Sequence, residues 1–129
     1  AIEKAFLIAR KPVVIFGSSY SASLALKLGS EMSQVKAVIA FSPGEYFGKD
    51  LDVADVAKNL TKPTFIACGS DEKKYTDEIA NAVRSSKKIY FAPGKGGAHG
   101  SKCLDKKTEG ETEYWIQMIN FLQTVKKEY

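Results

Sequence analysis

Four short runs of apolar residues, separated by segments with helical spacing, place the strongest constraint on how this chain can fold. The runs occupy residues 13–16, 35–41, 63–68 and 88–91. Short apolar runs of this kind are typical of buried strands. Because strands that alternate with helices pair in parallel, the sequence predicts an α/β fold with a parallel sheet of about four strands and helical crossovers. At 129 residues the chain has the length of a single domain, residues 1–129.

The segments between the runs predict the helices. They cover residues 1–11, about 20–30, 51–61, 74–85 and 111–126. If the strands are laid down in chain order, right-handed crossovers place the three central helices on one face of the sheet. The last helix must then cover the other face. Its predicted core stripe consists of Trp115, Met118, Ile119, Leu122 and Val125.

Composition excludes several classes of function. Apolar residues make up 44% of the chain and charged residues 26%, which is ordinary for a globular protein. No apolar run approaches the roughly 20 residues of a membrane span. The net charge of +4 comes without a long basic run, so we expect no nucleic-acid partner. Two cysteines and one histidine form neither a disulfide framework nor a zinc motif, so we expect no metal or cofactor. The cysteine content does not indicate the cellular compartment of the protein.

The first apolar run leads into a tight turn of small residues and then into a helix. A serine at the centre of such a strand-turn-helix lies on a sharp corner with its hydroxyl exposed, the geometry of a nucleophile elbow, G-x-S-x-G. Here serine replaces the second glycine. The five positions are Gly17, Ser18, Ser19, Tyr20 and Ser21. Taken alone, a serine-rich turn more often marks a helix N-cap than a nucleophile.

Three residues with complementary chemistry follow the predicted strands. Ser19 follows the first strand, Asp71 the third and His99 the fourth, where functional residues of open parallel sheets gather. A serine hydroxyl needs an adjacent base, and a carboxylate can orient the histidine that acts as one. Glu72 is the rival acid, and Asp71 is preferred because it comes first after the strand. Each residue alone could equally be a cap, turn or loop residue.

The glycine-rich loop 94–97 precedes the histidine. Phosphate binding is an alternative reading, but the loop lacks the P-loop pattern and the dinucleotide fingerprint between strand and helix. We therefore expect its glycines to let the loop turn inward and carry His99 to the edge of the sheet.

Four segments together resemble the C-terminal half of an α/β-hydrolase, closest in style to the dienelactone-hydrolase or small-esterase branch. They are VVIFGSSYS, KPTFIACGSDE, IYFAPGKGGAHG and WIQMINFLQ, in the family's order. The resemblance implies a serine hydrolase that cleaves a carboxylic ester or related acyl bond of a small molecule. It also implies that Ser19 is the nucleophile, Asp71 the acid and His99 the general base, with the backbone N–H of Tyr20 as an oxyanion-hole donor.

One helix precedes the nucleophile strand here, whereas α/β-hydrolases carry further strands and the second oxyanion loop before it. Strand 13–16 would then be an exposed apolar edge. We expect either a missing N-terminal segment or a homo-oligomer to complete the sheet at this strand. A non-catalytic interaction or assembly module with a relict triad is the alternative function. A flavodoxin-like binding domain would explain the alternation of strands and helices but none of the three residues.

Overall fold

The computed structural model describes residues 1–127 of the chain. These residues form five α-helices and four strands. In chain order they are α1 (Ile2–Ala9), β1 (Val13–Ser18), α2 (Tyr20–Glu31), β2 (Val35–Phe41), α3 (Val53–Ala57), β3 (Thr64–Ala67), α4 (Lys73–Ala82), β4 (Lys88–Phe91) and α5 (Glu111–Lys126). The strands make one parallel sheet in the order β1-β2-β3-β4, so the predicted fold class is confirmed.

The register of the sheet aligns the carboxyl ends of all four strands. Ser18 pairs with Phe41, Phe41 with Ala67, and Ala67 with Phe91. Because these four residues form one row, whatever follows each strand emerges at the same edge. The candidate site lies at this edge, directly after the row.

Two apolar cores lie on opposite faces of the sheet. Helices α2, α3 and α4 cover the first face, where Leu26, Leu60 and Ile79 are buried. Helix α5 covers the second face, where Phe65 and Phe121 are buried. Burial of apolar surface on both sides is what a parallel sheet requires. The predicted division of the helices between the faces is therefore confirmed.

Helix α5 presents a different face to the sheet from the one predicted. The residues it buries are Tyr114, Met118, Phe121 and Val125. Trp115, Ile119 and Leu122 are instead 41%, 46% and 36% exposed, so the predicted core stripe was wrong at these three positions. The cause is Tyr114, whose hydroxyl donates a hydrogen bond to the Cys68 carbonyl at 2.6 Å and fixes the rotation of the helix.

Helices α3 and α4 are shorter than predicted because the chain leaves each helix to fill the core. The Asp52 side chain accepts a hydrogen bond from Asp55 N at 3.0 Å, so α3 begins at residue 53. After its five residues, the chain turns to bury Leu60. Val83 ends α4 by adopting extended backbone, which buries its side chain.

The β1 side of the sheet is open within the described residues. No strand among residues 1–127 pairs with the outer side of β1, and Phe16 is 47% exposed. Helix α1 has no buried residue. Ile2 of α1 and Ile15 of β1 are partly buried and pack against the first core. None of the helices in residues 1–127 has the length and apolar character needed to cross a bilayer.

Candidate active site

Ser19 occupies the sharp corner between β1 and α2. Its backbone has φ 59° and ψ −121°, a conformation that non-glycine residues adopt at a cost of about 1–3 kcal/mol. Gly17 makes the corner possible, because a Cβ at this position would lie 2.2 Å from the carbonyl oxygen of Ser21. The sequence G-S-S-Y-S therefore folds as the elbow that its spacing predicts.

Ser21, which stands in place of the second glycine of the motif, closes the elbow with two hydrogen bonds. Its Oγ accepts from Ser18 N at 2.8 Å and donates to the Ser18 carbonyl at 2.9 Å. Because these bonds satisfy backbone groups within the turn, the serine stabilises the corner rather than obstructing it.

His99 reaches the elbow from the loop that follows β4. Its Nε2 lies 2.7 Å from the Ser19 Oγ. Gly96 and Gly97 adopt φ values of 85° and 82°, in the left-handed region that favours glycine. A Cβ on Gly97 would also lie 2.1 Å from the hydroxyl of Tyr114, so only glycine fits at this bend.

The carboxylate that contacts the histidine is that of Glu72. Its Oε2 is hydrogen-bonded to His99 Nδ1, whereas Asp71 is exposed, so the preference for Asp71 is corrected to its neighbour. The reason is local. Residues 70–72 form a 3₁₀ turn after β3, and this turn brings Glu72 back over Gly69, whose N–H donates to Oε1 at 3.0 Å.

The surroundings of Glu72 favour its ionised form. Its side chain is 18% exposed, while that of His99 is 53% exposed. Burial acts to raise the pKa of Glu72, but hydrogen bonds from His99, Ser42 and Gly69 outweigh burial and hold this pKa below its ordinary value. The carboxylate is therefore charged near neutral pH, as a group that orients an imidazole must be.

Ser42 is a part of the site for which the sequence carries no motif. It is buried and follows β2 directly, and its Oγ donates to Glu72 Oε1 at 2.7 Å. Its backbone has φ 55°, which is unusual for serine. The sequence could have indicated Ser42 only through its position, because it is the first residue after a parallel strand, at the edge where the other site residues lie.

Tyr20 is the first residue of α2, directly after Ser19. The N–H groups of a first helical turn have no partner within the helix and point toward its amino end. The Tyr20 ring packs against Phe47, with ring centroids 4.6 Å apart. Its backbone N–H therefore belongs to the first turn of α2, directly after the Ser19 corner, while its ring is part of the exposed surface.

The fold is that of part of an α/β-hydrolase. No family model and no curated protein sequence matches the chain. Among solved structures, a protein from Klebsiella pneumoniae described as a dienelactone hydrolase superposes on 85% of this chain with a TM-score of 0.60 and 17% identity. The esterase domain of a Rhodothermus marinus protein superposes on 67% with a TM-score of 0.54 and 15% identity. The superposed part is 51% of the first of these chains and 52% of the second, so this chain spans about half of each.

Proposed function

We propose that this chain is a serine hydrolase that cleaves a carboxylic ester or related acyl bond, with Ser19 as nucleophile, His99 as general base and Glu72 as the acid. One observation carries the proposal. The Ser19 hydroxyl, both ring nitrogens of His99 and the Glu72 carboxylate form a continuous hydrogen-bonded chain at the edge of the sheet. This arrangement makes a serine nucleophilic, because the base and the group that orients it are both in contact.

The proposed reaction has two stages, acylation of Ser19 and hydrolysis of the acyl group, and the same three residues act in both. Glu72 accepts a hydrogen bond from His99 Nδ1–H and so holds the tautomer in which Nε2 is unprotonated; Nε2 takes the proton of Ser19 as Oγ attacks the carbonyl carbon. His99 then returns that proton to the leaving alcohol, and an acyl group remains on Ser19. Water attacks the acyl group by the same steps in reverse, releasing the acid and restoring the hydroxyl. These steps require no cofactor.

The backbone N–H of Tyr20 is the oxyanion donor that this chain supplies in the proposal. It follows the nucleophile at the start of α2, where the helix dipole also favours negative charge. In α/β-hydrolases a second donor comes from a loop before the elbow strand, and the described residues before β1 form only α1. Loss of one donor lowers kcat about 100- to 1,000-fold, so we expect a slow enzyme unless other polypeptide supplies the second.

The names of the two structural neighbours support an ester as the substrate bond. One is called an esterase domain and the other a dienelactone hydrolase. His99 is half-exposed beside Ser19, so solvent and a small acyl substrate can approach this pair of side chains in the described part of the chain.

A fluorophosphonate probe tests the nucleophile. We expect covalent labelling of the wild-type chain, with the added mass on the peptide that contains Ser19, and no labelling of Ser19→Ala. His99→Ala should also lose labelling, because the probe reacts only with an activated hydroxyl. Equal labelling of wild type and Ser19→Ala would refute the assignment.

The alternative is a non-catalytic interaction module that retains a relict triad. The side of β1 that no strand of residues 1–127 covers is the observation that favours it, because an apolar strand edge of this kind is a pairing surface. The contacts among Ser19, His99 and Glu72 favour the hydrolase instead. A folded wild-type chain that the probe does not label would decide for the module.

A further inference from the structure

The loop that carries His99 crosses the whole carboxyl edge of the sheet. It leaves β4 at one side and delivers His99 to Ser19 beyond β1 at the other, a span of roughly 14 Å across three strand spacings. Its backbone rests on the strand ends in order. Ser70 N, after β3, donates to the Gly96 carbonyl at 3.0 Å, and the next contacts are with Ser42 after β2 and Ser18 at the end of β1.

Two serine hydroxyls hold the far end of this loop. Gly100 N donates to Ser42 Oγ at 2.7 Å, and Ser101 N donates to Ser18 Oγ at 2.8 Å. These are the two backbone N–H groups that immediately follow His99. The fit is close, since a Cβ on Gly100, which has φ 65°, would lie 2.3 Å from the Ser18 Oγ.

Ser42 also connects the loop to the acid. Its hydroxyl has one proton, which it donates to Glu72 Oε1 at 2.7 Å, and its lone pairs accept the Gly100 N–H. Because Ser42 is 1% exposed, water cannot readily replace either bond. The left-handed backbone of Ser42 is a strained conformation that persists only where its surroundings fix it.

We propose that Ser18 and Ser42 are positioning residues for the hydrolase, which hold His99 in line between Ser19 and Glu72. The inference rests on the proposed function, because the residues it positions are those assigned there. Ser18 fixes the loop from the elbow side. Ser42 fixes it from the second strand and sets the orientation of the Glu72 carboxylate at the same time.

The test compares Ser42→Ala and Ser18→Ala with Thr64→Val. Thr64 is a matched control because its hydroxyl is also buried and hydrogen-bonded, to the Lys62 carbonyl at 2.8 Å, but lies at the amino end of β3, away from the site. With a fluorophosphonate, we expect Ser42→Ala to lower the maximal labelling rate about 10- to 100-fold with little change in the half-saturating probe concentration. Ser18→Ala should lower it less, because one bond is lost, and Thr64→Val should not lower it.

Nuclear magnetic resonance of the imidazole gives a readout that is independent of activity. The chain has one histidine, so its ring signals need no assignment. We expect a hydrogen-bonded Nδ1 proton signal in wild type and Thr64→Val, and a shifted or broadened signal in Ser42→Ala. If Ser42→Ala matches Thr64→Val in both the ring signals and the labelling rate, the positioning role is refuted. If wild type is not labelled but the ring signals still move in Ser42→Ala, the proposed hydrolase fails while Ser42 is still shown to hold His99; the same comparison with Ser18→Ala decides for Ser18.

Discussion

At the scale of single residues, Glu72 is the point where three parts of the site meet. Its carboxylate accepts hydrogen bonds from the His99 ring, the Ser42 hydroxyl and the Gly69 backbone. The three donors come from the loop after β4, the end of β2 and the turn after β3. A carboxylate held by several donors has a fixed orientation, which is what the adjacent imidazole needs to keep one tautomer.

Replacement of the two neighbouring acids separates their roles. We expect Glu72→Gln to lower the fluorophosphonate labelling rate about 100-fold or more, because glutamine keeps the shape but cannot stabilise the charged imidazole. Asp71→Asn should stay within about twofold of wild type, since Asp71 is exposed, whereas the carboxylate bonded to the His99 ring is that of Glu72. The reverse ranking would restore Asp71 as the acid.

The lowered pKa of Glu72 predicts how stability depends on pH. Because the folded-state pKa lies below the ordinary value of 4.5, the ionised carboxylate contributes stability above that value and loses it as pH falls through the folded pKa. We expect the free energy of unfolding of wild type, relative to Glu72→Gln, to fall on acidification. Urea unfolding of both proteins near neutral pH and about one unit below the ordinary value measures this difference. A difference that is independent of pH would contradict the role of the charge.

Sequence order alone places Ser19, His99 and an acid after their strands, and it leaves open which acid contacts the histidine. Ser19 and His99 follow their strands as the order predicts, because strand ends in a parallel sheet share one edge. The choice between Asp71 and Glu72 depends on how the 3₁₀ turn after β3 directs successive side chains, and residue type does not reveal that. Ser42 was missed because its hydroxyl acts through hydrogen bonds to a loop 58 residues away.

At the scale of secondary-structure elements, α5 shows why a helix face can be misjudged. Apolar side chains occur around most of its circumference, so several rotations give an apolar stripe. The hydrogen bond of Tyr114 and its edge-on contact with Phe91, with centroids 4.9 Å apart, select the observed rotation. The bounds of β2, β4 and α5 agree with the sequence prediction, because their apolar patterns end at clear turn signals.

A pair of substitutions on opposite faces of α5 checks this rotation. Phe121 is 1% exposed, so Phe121→Ala should lower the free energy of unfolding by about 3–5 kcal/mol. Ile119 is nearly half-exposed, so Ile119→Ala should change it by less than about 1 kcal/mol. Urea denaturation monitored by circular dichroism measures both. Equal losses would mean that the helix packs with a different face.

At the scale of the whole molecule, the open side of β1 predicts self-association. Its outward backbone groups have no strand beside them in residues 1–127, and Phe16 adds an exposed apolar ring. An edge of this kind pairs readily with another chain. We expect a second copy of this chain to pair there, giving a homodimer whose mass is measured by light scattering.

The variant Phe16→Lys tests the location of that contact, because a charge on an edge strand opposes pairing. It should shift the wild-type dimer toward monomer, whereas Tyr75→Lys, a change at an exposed ring on α4, should not. A wild-type chain that stays monomeric at all accessible concentrations would rule out pairing by a second copy.

The long reach of the histidine loop also has a consequence for folding. Ser19 and His99 are 80 positions apart, and the strands that precede them, β1 and β4, are the two outer strands of the sheet. Closing so long a segment carries an entropic cost that local helices do not bear, so we expect this contact to form after the strands between the two residues have docked. Reactivity of the serine would therefore appear last during refolding, after helical signal has already recovered. The rate at which Ser19 becomes reactive toward the covalent probe during refolding would then measure the rate of the last step in forming the native state.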